Sequence, residues 1–330
     1  MKKKLLTITA VILLITSCNK STAPDEQIEK PENFLERNCA SPEVLQNQLS
    51  ADPSLGKRMQ DIEIFTERFI KNPNARRLLL PDSTIEIPVV VNVIYRTIAE
   101  NISLAQIQSQ IDVLNEDFSA TNTDYNNIPA LFQGVGSGNI DVRFVLDTVI
   151  RKSSAKTSWS TNNAMKSASS GGIDATSPAT KLNLWVVNKM VSSSGNTVLG
   201  YAQFPGGPTT TDGVVIGYKY LGRTGTVVAP FDKGRTATHE VGHWMNLRHI
   251  WGDATCGNDQ VGDTPQHNTA NYGCPAAGHT STCTGTPVEM TMNYMEYTDD
   301  ACMYMFSSGQ KDRMLAIFAT GGPRNSFAQP

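Results

Sequence analysis

The chain has 330 residues, 39% of them hydrophobic and 18% charged, with 28 Lys and Arg against 31 Asp and Glu for a net charge of −3. That apolar fraction sustains a folded core and excludes disorder throughout, while the near balance of charge offers no basic field for a nucleic acid partner. Length alone allows roughly two units.

Lys2, Lys3 and Lys4 precede an apolar run at 5–15, which is too short to cross the ~30 Å hydrocarbon core of a bilayer and suits an export signal over residues 1–17. The run ends Leu14-Ile15-Thr16-Ser17-Cys18, which resembles a bacterial lipobox, so Cys18 is expected to carry a lipid after cleavage. No other apolar stretch is long enough to span a membrane, and attachment is expected through that lipid alone. Residues 19–83 are polar and interrupted by six prolines, with a short helical pattern at Met59, Ile62, Phe65 and Phe69. This stretch reads as a wrapping segment without a core of its own.

The character changes at 85–95, a β-branched run typical of a buried strand, and the folded domain is expected to start at 84. Ser103 is placed to cap a helix in which Leu104, Ile107, Ile111, Leu114 and Phe118 recur at helical spacing. Further strands are expected at 140–146, 182–187, 198–204 and 214–218, and the Ser-rich stretch 153–170 reads as a surface loop. A strand, a helix, several strands and a second helix, followed by a loop-rich end, imply an α/β sheet domain with an irregular C-terminal part.

Six cysteines occur. With Cys18 assigned to lipid, Cys39 stands alone, and Cys256, Cys274, Cys283 and Cys302 cluster within fifty residues. In an exported chain four such cysteines form two disulfides, for which three pairings are open; a Cys₄ zinc site is the rival, and it lacks a C-x₂-C pair.

Three of the five histidines fall in Thr238-His239-Glu240-Val241-Gly242-His243-Trp244-Met245-Asn246-Leu247-Arg248-His249. On a helix, His239 and His243 share a face and can hold one metal ion with Glu240 beside it. A continuous helix would carry His249 about three turns away, so the helix has to break, and Asn246 tolerates the left-handed backbone of such a break. Three neutral imidazoles leave a fourth zinc position open for water, the arrangement of a catalytic site. Glu240 is then the proton acceptor.

This motif resembles the metzincin metallopeptidases, whose signature is H-E-x-x-H-x-x-G-x-x-H followed by a methionine-containing turn; Asn246 stands in place of the glycine. Met292-Asn293-Tyr294-Met295-Glu296-Tyr297 is similar to that turn, with Met295 beneath the metal and Tyr297 near it. His249-Ile250-Trp251-Gly252-Asp253, Asp259-Gln260-Val261-Gly262-Asp263-Thr264-Pro265 and the continuation Thr298-Asp299-Asp300-Ala301-Cys302-Met303 resemble the pappalysin family, with similarity over about 84–318.

The resemblance implies a catalytic domain at 84–330, divided into an N-terminal subdomain 84–249 and a C-terminal subdomain 250–330. The first has a twisted mixed five-stranded sheet, a backing helix and an active-site helix; the second is irregular and disulfide-bonded. It implies pairs Cys256 with Cys283 and Cys274 with Cys302, and calcium held by hard oxygens from Asp253, Asp259, Asp263 and Thr264. It implies protein or peptide substrates cut near basic residues, Arg preferred, with Tyr297 donating to the oxyanion and a strand edge at 200–204 holding substrate antiparallel. Glu36-Arg37-Asn38-Cys39-Ala40 resembles a cysteine-switch segment, so residues 18–83 are expected to form a propeptide with Cys39 on zinc. Arg76 and Arg77 form the candidate processing site, and Asp299 or Asp300 is the candidate carboxylate to pair with the arginine at a scissile bond. A monomer is expected, lipid-anchored at the cell envelope as a zymogen and released extracellularly once mature. The competing readings are a non-catalytic binding protein on the same scaffold and a zinc hydrolase of non-peptide amides. His267 and His279 have no expected role.

Overall fold

The computed structural model describes residues 35–72 and 84–328. The leader at 1–17, Cys18 and the pair Arg76 and Arg77 lie outside the described residues.

Two helices come first, α1 (Ser41–Ala51), which carries Pro42 in its first turn, and α2 (Ser54–Lys71). Neither has a core of its own. Phe69 of α2 joins the main hydrophobic cluster, and Val44 of α1 joins a second one around Trp185 and Tyr201. These helices wrap the domain.

The domain is built on β1 (Ile85–Tyr95), α3 (Leu104–Ser119), β2 (Val142–Ser153), β3 (Trp159–Ser160), β4 (Leu182–Val187), β5 (Met190–Val191), β6 (Thr197–Val198), β7 (Gly200–Ala202) and β8 (Val214–Gly217). Five strands form a mixed sheet in the order β2-β1-β4-β8-β7, parallel except for β7, which runs antiparallel at the edge. Val89, Val90, Val91 and Val93 are all buried, so β1 is covered on both faces, as a continuous β-branched run in a parallel sheet requires. Pro88 is tolerated in this inner strand because pairing with β4 begins only at Val89. Ser103 caps α3 by accepting from the Gln106 N–H at 3.1 Å, and Ile107, Ile111, Leu114 and Phe118 face the sheet.

The structure differs from expectation in four places. Leu104 is exposed, because at the first position of α3 it projects away from the sheet. The strand expected at 140–146 begins at Val142 and continues to Ser153. The strand expected at 198–204 breaks at Leu199, whose N–H donates to the Asn38 carbonyl at 3.0 Å. The Ser-rich stretch contains β3, which pairs with β5 in a small second sheet completed by β6, and it buries Met165 and Lys166.

The second half holds α4 (Arg235–Trp244) and α5 (Ser308–Ala316), joined by a long irregular segment. Disulfides Cys256–Cys283 and Cys274–Cys302 cross-link that segment, the pairing implied by the family resemblance. Among the described residues no helix is long and apolar enough to cross a membrane.

Candidate active site

All ten residues of α4 are buried, and polar anchors fix its rotation. Thr238 Oγ1 donates to Asp117 of α3 at 2.7 Å, while the Arg235 guanidinium lies 3.1 Å from Asp117 and 3.0 Å from Asp124. Burial pushes Asp117 up to about 6, with the Arg235 charge opposing that rise. The helix stops where the motif requires. Asn246 takes φ +73°, its N–H donates to His243 O and the Leu247 N–H donates to Gly242 O, both at 2.9 Å, and the chain then returns to bring His249 in. Gly242 has to be glycine, because a Cβ there would meet Met295 Sδ at 2.5 Å. Met295 thus packs directly under the metal-facing turn.

The three imidazoles converge. His239 Nδ1 donates to Tyr294 O at 2.7 Å, His243 Nδ1 to Leu247 O at 2.8 Å, and His249 Nδ1 to Asp253 Oδ1 at 2.5 Å. Burial and the neighbouring imidazoles hold His239 well below the usual histidine range and His243 down to about 3, so these rings are neutral. With Nδ1 donating, Nε2 carries the lone pair. His243 Nε2 then stands 3.2 Å from His239 Nε2 and 3.1 Å from His249 Nε2 with no proton to share. Such lone pairs need a cation between them, and tetrahedral zinc with Zn–N near 2.0–2.1 Å would separate its ligands by about 3.3 Å. Cys39 Sγ completes the set, all four donor atoms lying within 4.8 Å of one another. The residues present fit zinc.

Cys39 reaches this point because residues 38–40 lie along β7: Cys39 bridges Gly200 in parallel, and the Ala40 N–H donates to Gly200 O at 3.1 Å. Burial and the Glu240 carboxylate push the free Cys39 thiol up, and a positive ion beside it is what favours a thiolate. Glu240 Oε2 lies 3.2 Å from Cys39 Sγ and accepts from Ser41 Oγ at 2.9 Å; burial pushes this carboxyl up to about 7. The Tyr297 hydroxyl donates to the Cys39 carbonyl and accepts from the Cys39 N–H, both at 3.2 Å. Its ring stands edge-on to His249, with centroids 4.8 Å apart. Arg37 fills a neighbouring recess, where its guanidinium meets Asp300 Oδ1 at 2.6 Å, both side chains fully buried, and donates to Thr298 O at 3.1 Å.

The acidic loop divides its labour. Asp259 and Thr264 come together, Oγ1 donating to Oδ2 at 2.9 Å and to Val261 O at 3.0 Å, and burial pushes Asp259 up to about 6. Asp253 and Asp263 are engaged elsewhere. Asp253 is the partner of His249, and Asp263 holds the start of α5 by accepting from Ser307 Oγ at 2.6 Å and Gly309 N at 2.7 Å. His267 is fully buried, donating from Nδ1 to Glu296 at 2.8 Å and accepting at Nε2 from the Met290 N–H at 3.0 Å. Both of its nitrogens thus serve the protein, tying the 267–271 loop to the Met295 turn.

One site residue escaped sequence reasoning, and another was expected on calcium instead of on a histidine. Ser41, two positions after Cys39, clamps Glu240 and accepts from the Ala202 N–H at 2.8 Å. Asp253, four residues after His249, orients that ligand; the i,i+4 spacing was the available signal.

The family model described as pregnancy-associated plasma protein-A, a peptidase family, matches residues 173–319. An extracellular metalloprotease of Colletotrichum graminicola is 31% identical over 299 residues, covering 85% of this chain and 90% of that one. One from Pyricularia oryzae is 34% identical over 228 residues, 66% of this chain and 68% of that one. Among solved structures, a Tannerella forsythia promirolysin mutant superposes with TM-score 0.78 at 41% identity, over 88% of this chain and 97% of that one. Mature mirolysin from the same organism, in complex with a cleaved peptide, gives TM-score 0.70 at 45% identity over 75% and 96%. With this fold, this histidine triad and these relatives, the chain belongs to the pappalysin family of metzincin zinc metallopeptidases.

Proposed function

We propose that this secreted metallopeptidase is made as a zymogen whose prosegment, residues 18–83, is latched by Cys39 on zinc, and whose mature domain, 84–330, cuts proteins on the N-terminal side of Arg. The observation that carries the reading is the path of residues 37–41, which lay a cysteine on the histidine triad and a serine on Glu240. The segment runs parallel to β7, whereas a substrate is expected to pair antiparallel to it, and this reversal accounts for its surviving in the cleft.

Zinc held by His239, His243 and His249 supplies the Lewis acidity that acidifies water and polarises a carbonyl. Glu240, once Cys39 and Ser41 have left, takes the proton from water and passes it to the leaving amine. Tyr297, released from the Cys39 backbone, donates to the developing oxyanion. Arg37 on Asp300 is the model for specificity: the buried carboxylate takes a substrate arginine in the same recess. Asp259, Thr264 and the Val261 carbonyl are the proposed core of a structural calcium site, where a cation offsets the cost of burying Asp259.

Cleavage at Arg76-Arg77 would separate the domain from a lipid on Cys18, so the zymogen is bound at the envelope and the mature monomer released. The test is to incubate the purified zinc-loaded chain and sequence the new N-terminus of the product. Processing next to Arg76 or Arg77 that stops with a chelator and in Glu240→Ala is expected. Unchanged processing in Glu240→Ala, together with cleavage of a denatured protein by that variant, would overturn the assignment of Glu240.

A further inference from the structure

We propose that Arg313 and Arg248 form a subsite that receives an acidic substrate side chain on the N-terminal side of the scissile bond. The proposal rests on the reading that residues 18–83 leave the mature enzyme and that substrate pairs antiparallel to β7.

Arg313 of α5 is held at one end and offered at the other. Its Nε donates to Asn246 O at 2.8 Å, fixing the guanidinium against the turn that ends the metal-binding helix. Nη1 and Nη2 point outward and grip the Glu63 carboxylate of α2 with two parallel bonds of 2.6 and 2.5 Å. A forked, charge-assisted contact of this kind is how a guanidinium recognises any carboxylate. Burial raises Glu63, but the Arg313 bond and charge, joined by the charge of Arg248, outweigh it and hold the carboxyl below its usual range. Both cations therefore act on one carboxylate, and that carboxylate belongs to the part of the chain that leaves.

The surrounding space connects this pair to the metal. A cavity of about 590 Å³ lies between the wrapping helices and the domain, with Arg248 and Glu63 on its walls. Leu45, Leu49 and Met59 line it from α1 and α2, and Phe204 and Asn246 from the domain. The Phe204 ring is 5.2 Å from that of His243, so the cavity opens beside a zinc ligand. The nearby acids are already committed, Asp253 to His249 and Asp259 to Thr264. Removal of α2 thus takes away the carboxylate that meets the Arg313 fork with two bonds, leaving Asp253 acting on Arg248 and Asp259 on Arg313 through charge alone, and an incoming carboxylate restores the forked pair.

Direction follows from the strand. Glu240 packs against Gly200, at the start of β7, and Phe204 lies beyond the strand's end. An antiparallel substrate places the residues before the scissile bond at the Phe204 end, where the arginines are, and those after it towards the Asp300 recess. The prosegment already puts one charged side chain in each place, Arg37 on Asp300 and Glu63 on Arg313.

The experiment uses the zinc-loaded full chain after it has matured, by itself or with added trypsin, and a peptide series with Arg fixed just after the scissile bond. Asp, Ala or Lys is placed in turn at each of the four preceding positions. Asp over Lys is expected to raise kcat/KM by about tenfold at one or two positions, mainly through KM. That ratio should fall towards unity in Arg248→Gln and Arg313→Gln, and return in Arg313→Lys. An Asp-to-Lys ratio near one at every position of the parent enzyme overturns the proposal even if the Arg313 variants fail to fold, and so does a ratio the variants leave unchanged. If no peptide in the series is cut in a chelator-sensitive way, it is the peptidase reading that fails.

Discussion

The active-site helix and the N-terminal helices are held by different physics. Every residue of α4 is buried, and Arg235, Thr238 and His239 are held by Asp124, Asp117 and the Tyr294 carbonyl, so it comes apart only with the domain. α1 and α2 bury five residues between them, Ser41, Val44, Leu55, Thr66 and Phe69, and depend on discrete polar pins. These are Arg37 on Asp300, Ser41 on Glu240, Glu43 on Thr161, Gln48 on Gln203 and Glu63 on Arg313. Apolar burial makes a region permanent, whereas a handful of charge-assisted contacts makes one that is tight yet removable once the covalent link is cut.

The largest effect should come from the permanent side. Replacing Glu240 by Ala should lower kcat on a peptide substrate by about 10²–10⁴ while zinc, measured by metal analysis, stays bound; loss of zinc as well would show that the carboxylate is structural. Next comes Gly242→Ala, whose new methyl collides with Met295 Sδ. A destabilisation of about 1–3 kcal/mol, read as a lower midpoint in thermal unfolding, is expected. On the removable side, Cys39→Ser should shorten the half-time of maturation by about tenfold, since a hydroxyl is a far poorer zinc ligand than a thiolate; an unchanged half-time would break the contrast. Glu63→Gln, which weakens one pin among several, should speed maturation only a few-fold. The smallest expected effect is Asn246→Gly, which relieves the +73° backbone and should shift unfolding by less than about 1 kcal/mol, against a loss for Asn246→Ala.

What was legible in the sequence follows the same division. The triad and the helix break could be read because rare residues at helical spacing constrain one another within a dozen positions, Met295 could be read through the family resemblance, and the β-branched run of β1 announces a strand buried on both faces. Three aspartates and a threonine in one loop carry no such constraint. Only the fold turns Asp253 towards His249 and Asp263 towards α5 while leaving Asp259 with Thr264. β3 is two residues long and has no period to detect, and the break at Leu199 comes from a chain segment 160 residues away that claims its N–H. Long-range partners of this sort leave no local trace.

The pairing of residues 38–41 with β7 also bears on how the protein survives its own synthesis. β7 is an outer strand of the main sheet, and a bare outer strand with unpaired N–H and C=O groups is a template on which another chain can add and aggregate. In the precursor that margin is occupied: Leu199 N–H goes to Asn38, Gly200 O to Ala40, and Ala202 N–H to Ser41. With residues 38–41 in place this sticky border is sealed, so the chain that carries them offers no free margin at β7 for another copy to extend.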